Sequence, residues 1–324
     1  MRVSGTNGRL VAAALVALAP GLSAAQDGGG GSLDGVTGAD GSFTPISASV
    51  TVIPGADNAE SCVYDAGRGQ VLVLNRGKAP RDAPDDGFVS MLAADGTAAR
   101  WEAEGLVMNQ PYGSAIAGGL LYVADRDGGT SQDDPSRAVL RVFDLATGAA
   151  ERAVEVDSPG LNDIAVAADG TVYATQTSLS RGPKEEPDPA NWKVFAIAPD
   201  GTVSVLIAGA PLALPNGIEV DAAGNLVVVN TGDATVLTFS PDGALIATET
   251  AAQAGSDGLV LMPDGTKYVG SIRAGGISRI PPGGTAELIA EGIPGAASMC
   301  LDPGANRLVV PLGMNNAIAL VPLD

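Results

Sequence analysis

From Ile46 onward the chain consists of short segments rich in Val, Ile, Leu and Thr, cut by Asp-Gly and Gly-Asn turns. None carries the apolar stripe of a helix of about 10–12 residues, so the pattern predicts strands. The segments Val71–Leu74, Leu121–Ala124, Thr171–Thr175, Leu226–Val229, Tyr268–Ser271 and Leu308–Pro311 resemble one another, which calls for a search at fixed period. The clearest unit starts at Pro215-Asn216-Gly217-Ile218 and runs through Leu226–Asn230, Thr235–Phe239 and Ala244–Ala247. That is four strands in about forty residues, the size of one propeller blade. Aligned on Asn216, the equivalent positions are Glu60, Tyr112, Asn162, Asp257 and Ala297, spaced by 52, 50, 54, 41 and 40 residues along the chain.

The predicted fold is all-β, a six-bladed β-propeller of four-stranded antiparallel blades over residues 46–324. The last unit has room for only three strands after Ala297, and Ser47–Ile53 is a spare strand ahead of the first unit. It can supply the missing outer strand, so an N-terminal strand closes the last blade and removes an open edge. With the inner strands starting at a face termed the top, the tight Asp-Gly turns fall at the bottom. The three long insertions, Lys78–Gly87, Arg126–Arg137 and Ser178–Asn191, gather at the top as a lid or specificity wall.

Residues 1–25 have Arg2 and Arg9 ahead of the apolar run Leu10–Ala19 and end in Ser23-Ala24-Ala25, the arrangement of a signal peptide. The run is too short to cross a bilayer, so the expected product is exported, periplasmic or secreted, without stable membrane insertion. Residues 26–45, with four consecutive glycines at Gly28–Gly31, read as a flexible Gly-rich linker. A net charge of −19, becoming −21 once Arg2 and Arg9 are removed, excludes a nucleic-acid partner. It also implies a top face that attracts cations and disfavours strongly anionic substrates. A monomer acting on a small molecule is expected. The two cysteines, Cys62 and Cys300, lie near the equivalent positions of blades one and six, which adjoin at the closure. A disulfide and two buried thiols are both open on this register.

The absence of histidine removes a Ser-His-Asp triad, His-bearing zinc sites and a His base. Chemistry is left to carboxylates, amides, hydroxyls or a bound ion. Four of the six equivalent positions, Glu60, Asn162, Asn216 and Asp257, are oxygen donors at the start of an inner strand beside the channel. Two carboxylates and two amides converging on one axis suit a hard divalent cation, Ca²⁺ above all, with Mg²⁺, Mn²⁺ or Zn²⁺ also possible. The ends of the second strands place Asn75, Asp125, Gln176, Asn230 and Ser271 as pocket-lining candidates, with Tyr112 across from them.

The motifs Ala59-Glu60-Ser61 with Tyr64-Asp65, Leu161-Asn162-Asp163, Pro215-Asn216-Gly217-Ile218 and Ser256-Asp257-Gly258-Leu259 occur in order at blade spacing. In these the chain resembles the senescence marker protein, gluconolactonase and luciferin-regenerating-enzyme family of six-bladed propellers, and is also similar to diisopropyl fluorophosphatase. The resemblance implies that Glu60, Asn162, Asn216 and Asp257 hold a catalytic divalent cation. It further implies that Asp163 supports the site from behind and that Asp257 is general base or nucleophile. The sugar-lactonase branch has an Arg two residues before the Asn-Asp pair, where this chain has Gly160. The expected function is metal-dependent hydrolysis of a lactone or related ester. The alternative is a non-catalytic secreted propeller that binds a ligand around a structural cation.

Overall fold

The computed structural model describes residues 33–78, 84–131, 133–177 and 188–323. The expected signal peptide, the first part of the expected linker, half of the Lys78–Gly87 insertion and most of the Ser178–Asn191 insertion lie outside the described residues. Among the described residues there are twenty-six strands. A hairpin of β1 (Gly35–Thr37) and β2 (Phe43–Pro45) is followed by β3 (Thr51–Pro54). Blade one comprises β4 (Ala59–Asp65), β5 (Gln70–Asn75), β6 (Phe88–Leu92) and β7 (Ala98–Arg100). Blade two comprises β8 (Pro111–Ala117), β9 (Leu120–Asp127), β10 (Arg137–Asp144) and β11 (Ala150–Val156). Blade three comprises β12 (Ile164–Val166), β13 (Val172–Gln176), β14 (Lys193–Ile197) and β15 (Val203–Ala208). Blade four comprises β16 (Pro215–Val220), β17 (Leu226–Asn230), β18 (Thr235–Phe239) and β19 (Leu245–Thr250). Blade five comprises β20 (Ser256–Leu261), β21 (Lys267–Ser271), β22 (Ile277–Ile280) and β23 (Glu287–Ala290). Blade six takes β24 (Cys300–Asp302), β25 (Arg307–Leu312) and β26 (Ala317–Pro322) from the C-terminus. Its fourth strand is β3, antiparallel to β26 with Ala317 opposite Pro54 and Leu320 opposite Thr51. The expected six-bladed propeller and its N-terminal closing strand are thus both present.

The middle strands are buried on both faces, which explains why β5, β17 and β25 read as unbroken apolar runs rather than alternating ones. Their side chains fill six apolar layers, one between each pair of neighbouring blades. Leu72, Leu74, Leu121 and Phe143 pack between blades one and two, and Tyr268, Ile277, Leu308 and Val310 between five and six. At the bottom, Asp-Gly turns use the Asp carboxylate to accept a backbone N–H two residues on, as Asp169 does from Thr171 and Asp264 from Thr266, both at 2.9 Å, whereas Asp242 accepts from Ser240 Oγ.

The closure is also covalent. Cys62 on β4 and Cys300 on β24 form a disulfide with Cα atoms 5.5 Å apart and a sequence separation of 238. This settles the question that register alone left open.

The expectation of a featureless linker up to residue 45 is corrected by the β1–β2 hairpin. Its stability is tertiary, so no local periodicity announces it. Ser47 N–H donates to the Glu291 carbonyl at 3.0 Å, Glu291 N–H donates to Ser47 Oγ at 2.8 Å, and Val36 packs against Gly275. The hairpin is thereby held to the top rim of blades five and six. Among the described residues no helix is long and apolar enough to cross a membrane.

Candidate active site at the top of the channel

Four of the six inner strands share a local irregularity that delivers the axial side chains, while Asn162 and Ala297 lie just ahead of β12 and β24. In β4 the pairing steps from Ala59–Asn75 to Ser61–Leu74, leaving Glu60 unpaired. The same extra residue occurs in β8 between Pro111 and Ser114, in β16 between Pro215 and Ile218, and in β20 between Ser256 and Leu259. A bulge takes a residue out of the ladder and turns its side chain aside. Here it does so for Glu60, Tyr112, Asn216 and Asp257. Gly217 follows Asn216 because a Cβ there would lie 2.5 Å from the Asp257 carbonyl oxygen. The backbones of blades four and five therefore meet at the axis.

Asn216 and Asp257 are nearly inaccessible, each 4% exposed. Asn216 Nδ2 donates to Asp257 Oδ2 at 3.0 Å and to Thr231 Oγ1 at 3.2 Å, while Asn216 Oδ1 is buried without a partner. Glu60 Oε2 lies 3.1 Å from Arg76 Nη2. Asn162 Nδ2 donates to Thr177 Oγ1 at 2.6 Å. Asp163 points into the wall, where its carboxylate accepts Ile218 N–H at 3.1 Å, while Thr175 Oγ1 bridges to the Asn216 carbonyl at 2.6 Å. Asp163 thus ties blade three to the backbone that carries Asn216.

The electrostatics follow from burial. The Asp257 carboxyl titrates well above the ordinary range, chiefly because it is buried and then because Glu60 and Asp163 are near, despite opposition from Arg76 and Asn216. Asp163 is pushed up to about 7 by burial, with the Glu60 charge adding to it against the Ile218 and Ile164 N–H groups. Arg76 is mostly buried, which works against its charge. The Glu60 carboxylate, Tyr112 and Asp257 outweigh that cost and raise its pKa.

The five strand-end residues expected to line the pocket do something else. Asn75, Asp125 and Asn230 have no exposed surface, and Gln176 and Ser271 almost none. Asn75 Oδ1 accepts Asp57 N–H at 2.8 Å, Asn230 Oδ1 accepts Ala213 N–H at 3.0 Å, and Ser271 Oγ donates to the Ala254 carbonyl at 2.6 Å. Asp125 accepts the N–H groups of Asn109 and Gln110 and pairs with Arg141, while Gln176 donates to the Asn191 carbonyl. They are corrected from pocket lining to loop anchors. A polar side chain buried at a ladder end binds the nearest orphan backbone group.

The groups that do reach the axial ring stand one residue further along. Arg76 meets Glu60, Thr177 meets Asn162, and Thr231 meets Asn216. Arg126 completes the series by donating from Nη1 to Tyr112 Oη at 2.8 Å, with its Cζ 3.6 Å from the ring centroid; Arg76 Cζ lies 5.1 Å from the same centroid. The sequence reading passed over this second ring, although it was visible as the residue following each polar strand end. The channel mouth is consequently less acidic than the net charge implied, since two guanidiniums bracket Tyr112. Arg126 lies over Gly160, where a Cβ would fall 2.2 Å from its Nε.

Below the ring lies a cavity of about 320 Å³ lined by Asp163, Glu219, Met299 and the disulfide, among others. Glu219 is pushed up to about 8 by burial and then by the Asp163 charge.

Among the described residues no three Asp, Glu, Cys or His side chains cluster as a metal site. The axial set is instead two carboxylates plus amides, and its chemistry fits a hard cation. Asn216 Oδ1 lacks a partner, and Asp257 is crowded by the charge of Glu60, strain that a positive ion would relieve.

Comparison with known proteins is consistent with this geometry. No curated protein matches the sequence. Among solved structures, a gluconolactonase from Xanthomonas campestris is 20% identical with a TM-score of 0.58, covering 85% of this chain and 90% of its own. Regucalcin from Agrobacterium tumefaciens, described as a calcium-binding protein, is 17% identical with a TM-score of 0.56, covering 84% and 93%. Virginiamycin B lyase from Staphylococcus aureus has a TM-score of 0.57 at 11% identity, covering 85% and 99%, so the shared architecture alone does not decide the reaction. The family model of the SMP-30/gluconolactonase/LRE-like region matches residues 58–311, from just before Glu60 to the last blade, and the chain belongs to that family.

Proposed function

We propose that the protein is a divalent-metal-dependent hydrolase that opens a lactone or related ester at the top of the channel. The observation that carries this reading is the buried Asn216–Asp257 pair, with its unpartnered amide oxygen, facing the axis beside Glu60. Glu60, Asn162, Asn216 and Asp257 would hold the ion; an all-oxygen set favours Ca²⁺, as the calcium-binding description of the Agrobacterium relative supports. When bound, such an ion acts as a Lewis acid on the ester carbonyl. Asp257 is placed to take a proton from water or to attack the carbonyl, a role worth ~10²–10⁴-fold for a general base. Asn216 orients that carboxylate through its Nδ2, and Asp163 holds Asn216 through the backbone at Ile218. Tyr112 and the guanidiniums beside it form one wall for a small-molecule substrate. We also propose export to an oxidising compartment, which the Cys62–Cys300 bond supports.

The test is elemental analysis of the purified protein, followed by a panel of lactones and aryl esters with and without chelator. Metal-dependent turnover lost in Asp257→Asn, with an unchanged melting curve, supports the proposal. A bound ion that raises the melting temperature without any hydrolysis would instead identify a ligand-binding propeller.

A further inference from the structure

The two guanidiniums around Tyr112 are not equivalent. Arg76 is neutralised by Glu60 at 3.1 Å, whereas among the described residues no carboxylate lies within ion-pair distance of Arg126. Arg126 spends Nη1 on the tyrosine hydroxyl, and its Nε is buried with no hydrogen-bond partner. A buried donor left unsatisfied is unfavourable, and more so on a charged group. Yet the side chain is held firmly in this position. Its backbone N–H is fixed by Asp125 Oδ1 at 3.0 Å and the Gln110 carbonyl at 3.2 Å, and Tyr112 stacks against the guanidinium. Only the missing Cβ of Gly160 leaves room for it, two residues from Asn162 in the axial ring. Nε is walled off by the Gly160 backbone, but Nη2 carries neither a hydrogen bond nor an ion pair and is not buried, so the guanidinium offers open N–H donors beside Tyr112. A carboxylate can accept from Nη2 and cancel the unpaired charge.

We propose that Arg126 binds a carboxylate on the substrate, so that the preferred substrate is a lactone or ester carrying a separate carboxylate near the scissile group. Gly160 is the residue that admits Arg126 to this position. The inference rests on the hydrolytic reading of the same site, and it reverses the expectation that the acidic chain disfavours anionic substrates.

The test compares γ-butyrolactone bearing a ring carboxylate with its carboxamide, in the wild type and in Arg126→Met, Arg126→Lys and Gly160→Ala. Glutarate binding is followed in parallel by calorimetry. The wild type should favour the carboxylate lactone by at least tenfold in kcat/KM, mainly through KM. That ratio should fall to within twofold of unity in Arg126→Met and Gly160→Ala and be partly kept in Arg126→Lys. A ratio unchanged in Arg126→Met, or near unity in the wild type while both lactones are hydrolysed, overturns the proposal and leaves hydrolysis standing. If neither lactone is hydrolysed, the calorimetry decides. Glutarate affinity at least tenfold weaker in Arg126→Met keeps the carboxylate site and rejects the hydrolytic reading, whereas equal or undetectable binding overturns the carboxylate site. Should Gly160→Ala fail to fold, the two Arg126 variants suffice.

Discussion

Breaking the Cys62–Cys300 bond should cost more stability than any single contact it replaces. The bond closes a loop with a sequence separation of 238 between β4 and β24, so its main action is on the unfolded chain. The loop-entropy relation puts the loss at about 5 kcal/mol for a closure of this length. With an m-value of about 3 kcal/mol/M in urea for a domain of this size, the midpoint should fall by about 1.7 M. Packing must be separated from linkage, because both cysteines are buried at 5% and 8% exposure. Urea titration of Cys62→Ala, Cys300→Ala and the double variant makes the separation. One substitution already removes the bond, so the double variant should resemble either single one, with a steeper transition because its unfolded state is more expanded. Two single losses that add in the double variant, or a midpoint shift below about 0.3 M, would show that β3–β26 pairing alone closes the ring and that the entropy argument fails here.

Gly217→Ala should destabilise the fold by about 1–3 kcal/mol and reduce turnover, since its Cβ would press on the Asp257 backbone; calorimetric melting and kinetics check both. Asn230→Ala should cost about 1–2 kcal/mol by freeing the Ala213 N–H while leaving KM unchanged; a raised KM would return Asn230 to the pocket. Glu219 titrates at about 8 when folded against an ordinary 4.5, so it retains its proton in the native state over a range where the unfolded chain has lost it. Its contribution is therefore undiminished below about 4.5 and is lost as pH rises toward 8, by at most about 1.4 kcal/mol per unit. Melting temperatures of Glu219→Gln between pH 5 and 9 should decline less steeply than those of the wild type, the remaining slope coming from Asp163 and Asp257; parallel curves would refute the assignment.

The architecture was readable because blade periodicity survives in the turns and in the apolar middle strands, which depend on local chemistry. The axial positions Asn216 and Asp257 were equally readable, since each directly precedes a Gly that the close approach of neighbouring backbones favours, and Glu60, followed by Ser61, was readable from blade spacing. The strand ends were read one residue short. Register locates Asn75 and Asp125 at the rim, but only the course of the incoming loop decides that they turn outward to Asp57 and Asn109 while Arg76 and Arg126 turn inward. The β1–β2 hairpin escaped for a related reason. Its partners, Gly275 and Glu291, are more than two hundred residues away, and three-residue strands carry no periodic signal.

The bulges at the start of the inner strands have a consequence for how this family can diversify. A side chain presented from a bulge is withdrawn from the ladder, and of the four only Tyr112 also packs against an apolar layer between blades, so the identity of Glu60, Asn216 and Asp257 is only weakly coupled to the conditions of folding. The axis behaves as a set of interchangeable sockets, and Ala297, in the segment leading into β24 rather than in a bulge, fills the sixth with no more than a methyl group. New specificity can therefore be acquired by exchanging one residue at a time in a wall whose stability is maintained elsewhere, and Ala297 is the first position at which to install a donor by design.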